Sequence, residues 1–563
     1  MTSINLCICG EAGQGLVTIG QLLAKCLVRA GYHIVVTQSY QSRIRGGHNA
    51  FFIRVGASPI TAPVGPIDLL VPLNEESIEI HRGEMAADGW IFRDADYGMD
   101  GDRNLPVPYA SFGGGIYVNI AAFAVTGCLL GLDTSLMEGM VREAFGKKGD
   151  AASEKNLSVL ARTVEWAKNL DIDFKGLPAP ASPSRRMMVN GNEAIALGAV
   201  AAGVRCGFFY PMTPATSIIL TLIKHAREAG IVMEQAEDEI AAVNMAIGAS
   251  FCGARSMVAT SGGGYALMTE GVSLAAMTET PLVIAIAQRP GPATGLPTRT
   301  EQGDLEFVLH GGHGEFPRAV FAPGDVTACF ALTVKAFDVA EASQGPVFIL
   351  TDQFLADSYR AVEPFTWPEA TGNPAERDRE ISPEDYQRYA LTDDGVSPRA
   401  FPGQSGALVV ADSDEHTEAG HITEDLRLRP RMVRKRLRKM ARIREAVVPP
   451  VFSGDASPEL LFVCWGSTMG AVEEAVETLR REGRRAAMLH FSQVWPLRPG
   501  DFMDTLESAE KVVAVEGNAT SQFARLIRRE TGFAITRHVN RYDGLPITPG
   551  FILDGIARMG KGV

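Results

Sequence analysis

The stretch from Met233 to Ser250 constrains the fold more than any other part of the chain. A short apolar run, Ile231-Val232-Met233, leads to an acidic triplet, Glu237, Asp238 and Glu239, and then to Ile240-Ala-Ala-Val-Asn-Met245-Ala-Ile-Gly248. Almost every residue of the last segment is small or apolar. A helix built from it carries apolar surface on nearly all faces and is expected to be buried. Strand, turn and buried helix in succession form a unit of an α/β domain. The acids at the helix start have two readings: they answer the positive end of the macrodipole, or one is desolvated, its pKa raised and its proton available for chemistry. Glu237 and Asp238 suit the first. Glu239 suits the second, because it alone abuts the small-residue face of Ala242, Val243 and Ala246, where a flat ring can lie close.

A chain of 563 residues is expected to hold three or four domains. Its 46% hydrophobic and 21% charged residues are ordinary for a soluble globular protein. The net charge of −13 argues against nucleic acid or an anionic membrane as the main partner. Eight cysteines (Cys7, Cys9, Cys26, Cys128, Cys206, Cys252, Cys329 and Cys464) are scattered, with no C-x-x-C. They read as reduced, intracellular thiols, and no local motif ligates an iron–sulfur cluster or zinc. Cys7 and Cys9 stand two apart on an expected strand, point to one face and read as core packing. No signal peptide is visible. The longest apolar run, Gly115 to Leu132, is interrupted by Asn119, Gly127 and Gly131 and is too short to span a membrane. The expected location is the cytoplasm.

Along the chain, residues 3 to 9 read as a buried strand, Gly10-Glu-Ala-Gly13-Gln-Gly15 as a glycine turn, and Leu16 to Ala30 as an apolar helix. That shape aims backbone N–H groups at a phosphate, but the spacing is neither the dinucleotide fingerprint nor a P-loop. Tight packing and phosphate contact both stay open. The loop Arg43-Ile-Arg45-Gly-Gly-His48 could grip an anion or be a surface turn. Residues 172 to 186, rich in proline and serine, read as a linker. Beyond it, Tyr210-Pro211-Met212-Thr213-Pro214 follows a strand. A threonine between prolines is held rigidly there, at the carboxyl end where open α/β sheets bind ligands. Thr260-Ser261-Gly262-Gly263-Gly264 ends the next strand, and Arg289 and Arg299 follow the one after as candidate carboxylate clamps. His310-Gly-Gly-His313 has only weak ligand spacing. Residues 370 to 450 turn polar and acidic before a basic helix, Arg431 to Arg444, expected to brace domains or subunits rather than bind nucleic acid. A last small α/β unit begins near residue 451.

Four stretches together carry a resemblance: Tyr210-Pro-Met-Thr-Pro-Ala, Glu237-Asp-Glu-Ile-Ala-Ala, Thr260-Ser-Gly-Gly-Gly and Thr294-Gly-Leu-Pro-Thr-Arg-Thr-Glu-Gln-Gly-Asp304. The chain resembles the α subunit of the 2-oxoacid:ferredoxin oxidoreductases, nearest the 2-oxoglutarate type. The Gly10–Gly15 and Arg45-Gly-Gly-His48 loops resemble that family's γ subunit, fused ahead of α. The Val515-Glu-Gly-Asn-Ala-Thr520 segment resembles its transketolase-C-like end. The implied fold is α/β and multi-domain: a γ-type domain over 1–171, the linker 172–186, a pyrimidine-type thiamine diphosphate domain over 187–369, a connector with the basic helix over 370–450, and a transketolase-C-like domain over 451–563.

The resemblance implies an enzyme that interconverts a 2-oxo acid plus CoA with acyl-CoA plus CO₂, with ferredoxin as electron carrier. It implies that Glu239 hydrogen-bonds N1′ of the cofactor's aminopyrimidine. Protonation there favours the imino tautomer, whose 4′ nitrogen takes the thiazolium proton. Thr213, Arg299 and, less directly, Arg289 are the implied substrate contacts. Tyr210, Pro211, Met212, Thr260, Ser261, Gly262, Gly263 and Arg45 are the implied cofactor contacts. No Gly-Asp-Gly followed by a downstream asparagine is present, so Mg²⁺, the diphosphate grip and a [4Fe-4S] cluster are expected on a β subunit, in an (αβ)₂ assembly, with no metal on this chain. Three alternatives remain at this stage: pyruvate, branched-chain or aryl 2-oxo acids as substrate, a nucleotide-binding dehydrogenase, and a scaffold without chemistry.

Overall fold

The computed structural model describes residues 3–41, 47–98, 101, 103–146, 149–174, 176–180, 185–369, 382–403 and 406–560. The chain forms two compact units. The first comprises residues 1–190 with 357–364 and 548–551; the second comprises 191–356, 365–547 and 552–563. Among the described residues no helix is long and apolar enough to cross a membrane.

The first unit is built on an eight-stranded mixed sheet. Its central strand, Ser3–Glu11, runs parallel to Ile67–Pro72 and antiparallel to His48–Gly56. Strand side chains alternate between faces, and here the alternation sorts two chemistries. Leu6 and Ile8 enter the large core beneath the helices Leu16–Arg29, Val118–Leu129, Thr134–Phe145 and Asp150–Lys168. Cys7 and Cys9 face the other way, into a small cluster with Ala50, Ile67 and Leu70. The glycine turn closes on itself: Gln14 Oε1 accepts the Glu11 N–H at 2.8 Å, and the Gln14 N–H donates to the Glu11 carbonyl at 3.2 Å. Two short strands extend this sheet from far along the chain, Met187–Val189 and Arg360–Val362, paired antiparallel.

The second unit holds a seven-stranded sheet in the order Gln493–Trp495, Ala319–Phe321, Pro346–Asp352, Leu282–Gln288, Ser256–Thr260, Cys206–Phe209, Val232–Gln235. All neighbours are parallel except the first pair. Ser256–Thr260, Leu282–Gln288 and Pro346–Asp352 are buried at every position, as expected of parallel strands covered on both faces. A five-stranded sheet from residues 451 to 540 shares one hydrophobic core with it, in which Val243, Met268 and Ile284 pack in the same cluster as Val463, Leu489 and Phe523.

The basic helix spans Arg429–Glu445 and buries much of its charge. Lys435 and Lys439, one turn apart, reach Glu279 at 2.7 and 2.5 Å. Arg436 grips both oxygens of Glu415 at 3.0 and 2.9 Å, and Arg442 meets Asp394 at 2.7 Å. It is a brace inside the second unit, with Lys435, Arg436, Lys439 and Arg442 paired to acids between residues 279 and 415.

Candidate functional site

The site is assembled at the carboxyl ends of parallel strands. From Cys206–Phe209 the chain passes outward to the edge strand Val232–Gln235; from Ser256–Thr260 it passes the other way, to Leu282–Gln288. The connections therefore diverge between Cys206–Phe209 and Ser256–Thr260. A crevice opens at such a reversal, and ligands of open α/β sheets bind there. Tyr210–Thr213 and Thr260–Gly264 follow the two flanking strands.

Asp238, in extended conformation at the N-cap, accepts the Ala241 N–H at 2.8 Å and starts the helix Glu239–Phe251. Glu239 is thereby set on the first turn, only 2% exposed. Among the described residues its buried Oε1 has no hydrogen-bond partner, and the same holds for Thr260 Oγ1 and Ser261 Oγ. Two of these atoms crowd the backbone of Gly264, where a Cβ would overlap both Glu239 Oε1 and Thr260 Oγ1. Burial raises the Glu239 carboxyl above the usual carboxylate range, and the charge of Asp238 adds to the shift. A protonated carboxyl in this position can donate to a ring nitrogen of a flat ligand; an ionised one can accept from it.

The helix departs from expectation in one respect. It was expected to be buried on nearly every face, yet Ile240 is 49% and Met245 40% exposed. Helical spacing places them away from Ala242, Val243 and Ala246, which face the core. Apolar composition alone does not reveal which face the rest of the unit covers.

A second group of residues lies beside the first. Arg289, directly after Leu282–Gln288, donates from Nη1 to the Thr213 carbonyl at 2.8 Å and so ties two strand-end loops together. Burial lowers the Arg289 pKa, while Asp304 acts in the opposite sense. The Asp304 carboxyl is pushed up to about 6 by burial, against the pull of Arg289. Its Oδ2 is buried without a partner and approaches Gly262 so closely that a Cβ there would overlap the carboxylate. Sequence reasoning assigned Asp304 no role. The only signal was its place at the end of the proline- and glycine-rich stretch from Thr294.

Arg299 is half-buried and held by its backbone, with its Cβ and Cγ against Gly544. The Thr300 N–H donates to the Gly544 carbonyl at 3.2 Å. Gln302 exchanges hydrogen bonds of 2.7 and 2.8 Å with Gly517 and donates to the Trp465 carbonyl at 2.9 Å. The last domain thus fixes the loop that carries Arg299. Among the described residues its guanidinium has no hydrogen-bond or ion-pair partner, and no contact links it to Glu239. Thr213 is half-buried, as is Met212, whereas Tyr210, Pro211 and Gly263 are exposed. Arg45 lies outside the described residues.

Residues 197–435 match the family model described as pyruvate flavodoxin/ferredoxin oxidoreductase, thiamine diP-bdg, and residues 5–166 match pyruvate ferredoxin/flavodoxin oxidoreductase. The 2-oxoacid:ferredoxin oxidoreductase subunit alpha of a Sulfolobus species is 30% identical over 95% of this chain and 94% of its own length. The chain belongs to the 2-oxoacid:ferredoxin oxidoreductase α subunits. Another member, the 2-oxoglutarate oxidoreductase subunit KorA of Mycobacterium tuberculosis, is 30% identical over 92% of this chain and 86% of its own. The solved 2-oxoglutarate:ferredoxin oxidoreductase of Magnetococcus marinus, with 2-oxoglutarate, coenzyme A and succinyl-CoA bound, superposes with a TM-score of 0.90 at 29% identity, covering 99% of both chains. As a 2-oxoacid:ferredoxin oxidoreductase subunit, the chain is part of an oxidoreductase, with a thiamine diphosphate-binding domain and the multi-domain α/β fold its sequence implied. Family membership sets aside the nucleotide-binding dehydrogenase.

Proposed function

We propose that this α subunit supplies the pyrimidine-facing half of an active site that interconverts 2-oxoglutarate plus CoA with succinyl-CoA plus CO₂, passing two electrons one at a time to ferredoxin. The observation that carries the reading is the buried, unpartnered Oε1 of Glu239 beside Gly264. A desolvated polar atom left unpaired costs about 1–3 kcal/mol, and pairing with a cofactor nitrogen removes that cost. The residues suit the aminopyrimidine of thiamine diphosphate: a carboxyl whose pKa is raised by burial, a glycine that leaves room, and two buried hydroxyls, Thr260 and Ser261. When bound, that cofactor supplies the carbanion chemistry by which a 2-oxo acid loses CO₂.

This chain's own part is proton placement and orientation. Glu239 presents its carboxyl at Oε1, where it can exchange a proton with a ring nitrogen. Arg289 fixes the Thr213 loop through the backbone carbonyl, which leaves the Thr213 hydroxyl for substrate. Arg299, unpaired on a loop fixed by Gln302, suits the distal carboxylate of a dicarboxylic substrate. Tyr210, Pro211, Met212, Gly262 and Gly263 line the approach. Mg²⁺, the diphosphate grip and the [4Fe-4S] cluster fall to a β subunit in an (αβ)₂ assembly in the cytoplasm. The exposed apolar residues Val232, Ile240 and Met245, on elements that carry the site, support a protein partner there.

The M. marinus and M. tuberculosis relatives, both named for 2-oxoglutarate, support that substrate. A panel of 2-oxo acids given to the purified αβ enzyme, read by reduction of a viologen dye with CoA present, tests it. The 2-oxoglutarate rate should lead, and Arg299→Leu should narrow its margin over pyruvate by about tenfold or more, the scale of one lost charged hydrogen bond. A preference for pyruvate, branched-chain or aryl acids overturns the substrate; no effect of Thr213 or Arg299 substitutions returns the chain to a scaffold role.

A further inference from the structure

On the face of the first unit's sheet opposite the large helical core, four side chains converge that the proposed reaction does not use. Cys7 Sγ, Cys9 Sγ and a ring nitrogen of His81 lie within 4.8 Å of one another, all three residues buried. His48 Nε2 stands 2.8 Å from His81 Nε2. The backbone dictates the convergence. Cys7 and Cys9 share one face of their strand, and His48 begins the adjacent antiparallel strand. His81 ends the helix Glu76–His81 above them.

The outer nitrogens decide what the inner ones can do. His81 Nδ1 is 2.7 Å from Glu84 Oε2. An ionised carboxylate only accepts, so Nδ1 carries the proton. His48 Nδ1 is 3.3 Å from Ser77 Oγ, whose own proton goes to Asn74 Oδ1 at 2.5 Å. Used as a hydrogen bond, the 3.3 Å contact makes Ser77 the acceptor and places a proton on His48 Nδ1. With both outer nitrogens protonated, the neutral rings turn bare Nε2 lone pairs toward each other at 2.8 Å. Two lone pairs at that distance repel unless a cation is shared between them, either a proton or a metal ion. The adjacent pair of buried sulfurs favours the metal. An imidazole whose second nitrogen is fixed by a carboxylate is the usual outer shell of a zinc ligand.

We propose that Cys7, Cys9, His48 and His81 form a Cys₂His₂ zinc site within the first unit. Zn–S bonds of about 2.3 Å and Zn–N bonds of about 2.0–2.1 Å give tetrahedral edges of roughly 3.3–3.8 Å. Cys7 Sγ, Cys9 Sγ and the His81 ring nitrogen, up to 4.8 Å apart, close by about 1 Å on binding, and the two histidine nitrogens, 2.8 Å apart, open by about 0.5 Å. Both thiols release their protons to solvent as the metal enters, through the half-exposed His48 side. The site joins elements more than 70 residues apart, so its role is structural, and it stands independently of the reading of Glu239.

The test loads the purified full-length α chain, reduced and freed of metal by a chelator, with Zn²⁺ or Co²⁺. The wild type should retain about one zinc per chain after gel filtration. With Co²⁺ it should show thiolate-to-cobalt charge transfer and the strong visible bands of a tetrahedral site. The Cys7→Ala/Cys9→Ala variant should lose both the metal and the charge-transfer band, while Cys128→Ala keeps them. Should the double variant fail to fold, His48→Gln decides, because this rim position can change without opening the core: the visible bands should shift and the metal should exchange faster. A folded wild-type chain that takes up no zinc, or a double variant that binds as much as wild type, overturns the proposal in favour of a proton shared by the two histidines.

Discussion

Two glutamates of the second unit, Glu239 and Glu279, are equally hidden from solvent and treated in opposite ways. Glu279 accepts Lys435 at both oxygens, at 2.7 and 2.8 Å, and Lys439 at 2.5 Å. Arg388 donates to its backbone carbonyl at 2.6 Å and so holds a residue whose φ of 49° is uncommon for a side chain of this kind. Burial alone would raise the Glu279 carboxyl; Lys439, Lys435 and Arg388 outweigh it and bring it down to about 2. Among the described residues Glu239 has no ion-pair partner and an unpaired Oε1, and its carboxyl is raised. A buried carboxylate that is fully paired holds structure together. One left unpaired at a strand-end crevice is a cost the fold carries for something that binds.

The comparison can be broken first where the paired acid is strongest. Lys435→Met leaves Glu279 with fewer donors, and the expected loss is about 3 kcal/mol, the lower end for opening a buried pair, because Lys439 and Arg388 remain. Urea unfolding of the α chain measures it; a loss below about 1 kcal/mol would mean that the network contributes little. Gly264→Ala attacks the unpaired acid by placing a methyl group against Glu239 Oε1 and Thr260 Oγ1. Overpacking of that kind costs about 1–3 kcal/mol, and turnover should fall with it.

Acid and base titration sharpen the contrast at a smaller scale. The contribution of Glu279 is fully present above the ordinary carboxyl value of 4.5 and is lost as pH falls toward about 2. Glu239 has the opposite sign: its folded form binds the proton more tightly, so stability declines as pH rises from 4.5 through its raised folded value. Glu239→Gln should remove that decline and gain about 1 kcal/mol near neutral pH. Urea midpoints of wild type and variant across the acid range give both slopes, and parallel curves would contradict the assignment. The smallest change is expected at Arg442→Ala. This exposed pair with Asp394 is worth no more than about 0.5 kcal/mol, and a larger loss would show that the whole basic helix acts as one network.

What could be read from sequence was local. An acidic helix start, Glu239 on the first turn, and the strands before Tyr210, Ser261 and Arg289 follow from the macrodipole, periodicity and glycine punctuation within a few residues; that Asp238 is the cap came only from the structure. What could not be read depends on partners far away. Lys435 and Lys439 look like a solvated basic face until Glu279, 156 residues before Lys435, is placed beneath them. Asp304 sits in a loop with no period, and its raised carboxyl appears only when Gly262 and Arg289 close over it. Gln493–Trp495 joins a sheet whose other strands ended some 140 residues earlier, a pairing no alternation predicts. Cys7 and Cys9 read as core because the histidines that face them come 40 and 70 residues later.

The central claim is that the unpaired carboxyl of Glu239 serves catalysis and not stability, and one paired measurement on Glu239→Gln tests it. In the reconstituted αβ enzyme, turnover of 2-oxoglutarate should fall by about a hundredfold or more, the scale of lost acid–base help, while urea unfolding of the same chain shows stability unchanged or slightly raised. Turnover within a few-fold of wild type, or a loss of activity matched by a loss of stability, would contradict the account.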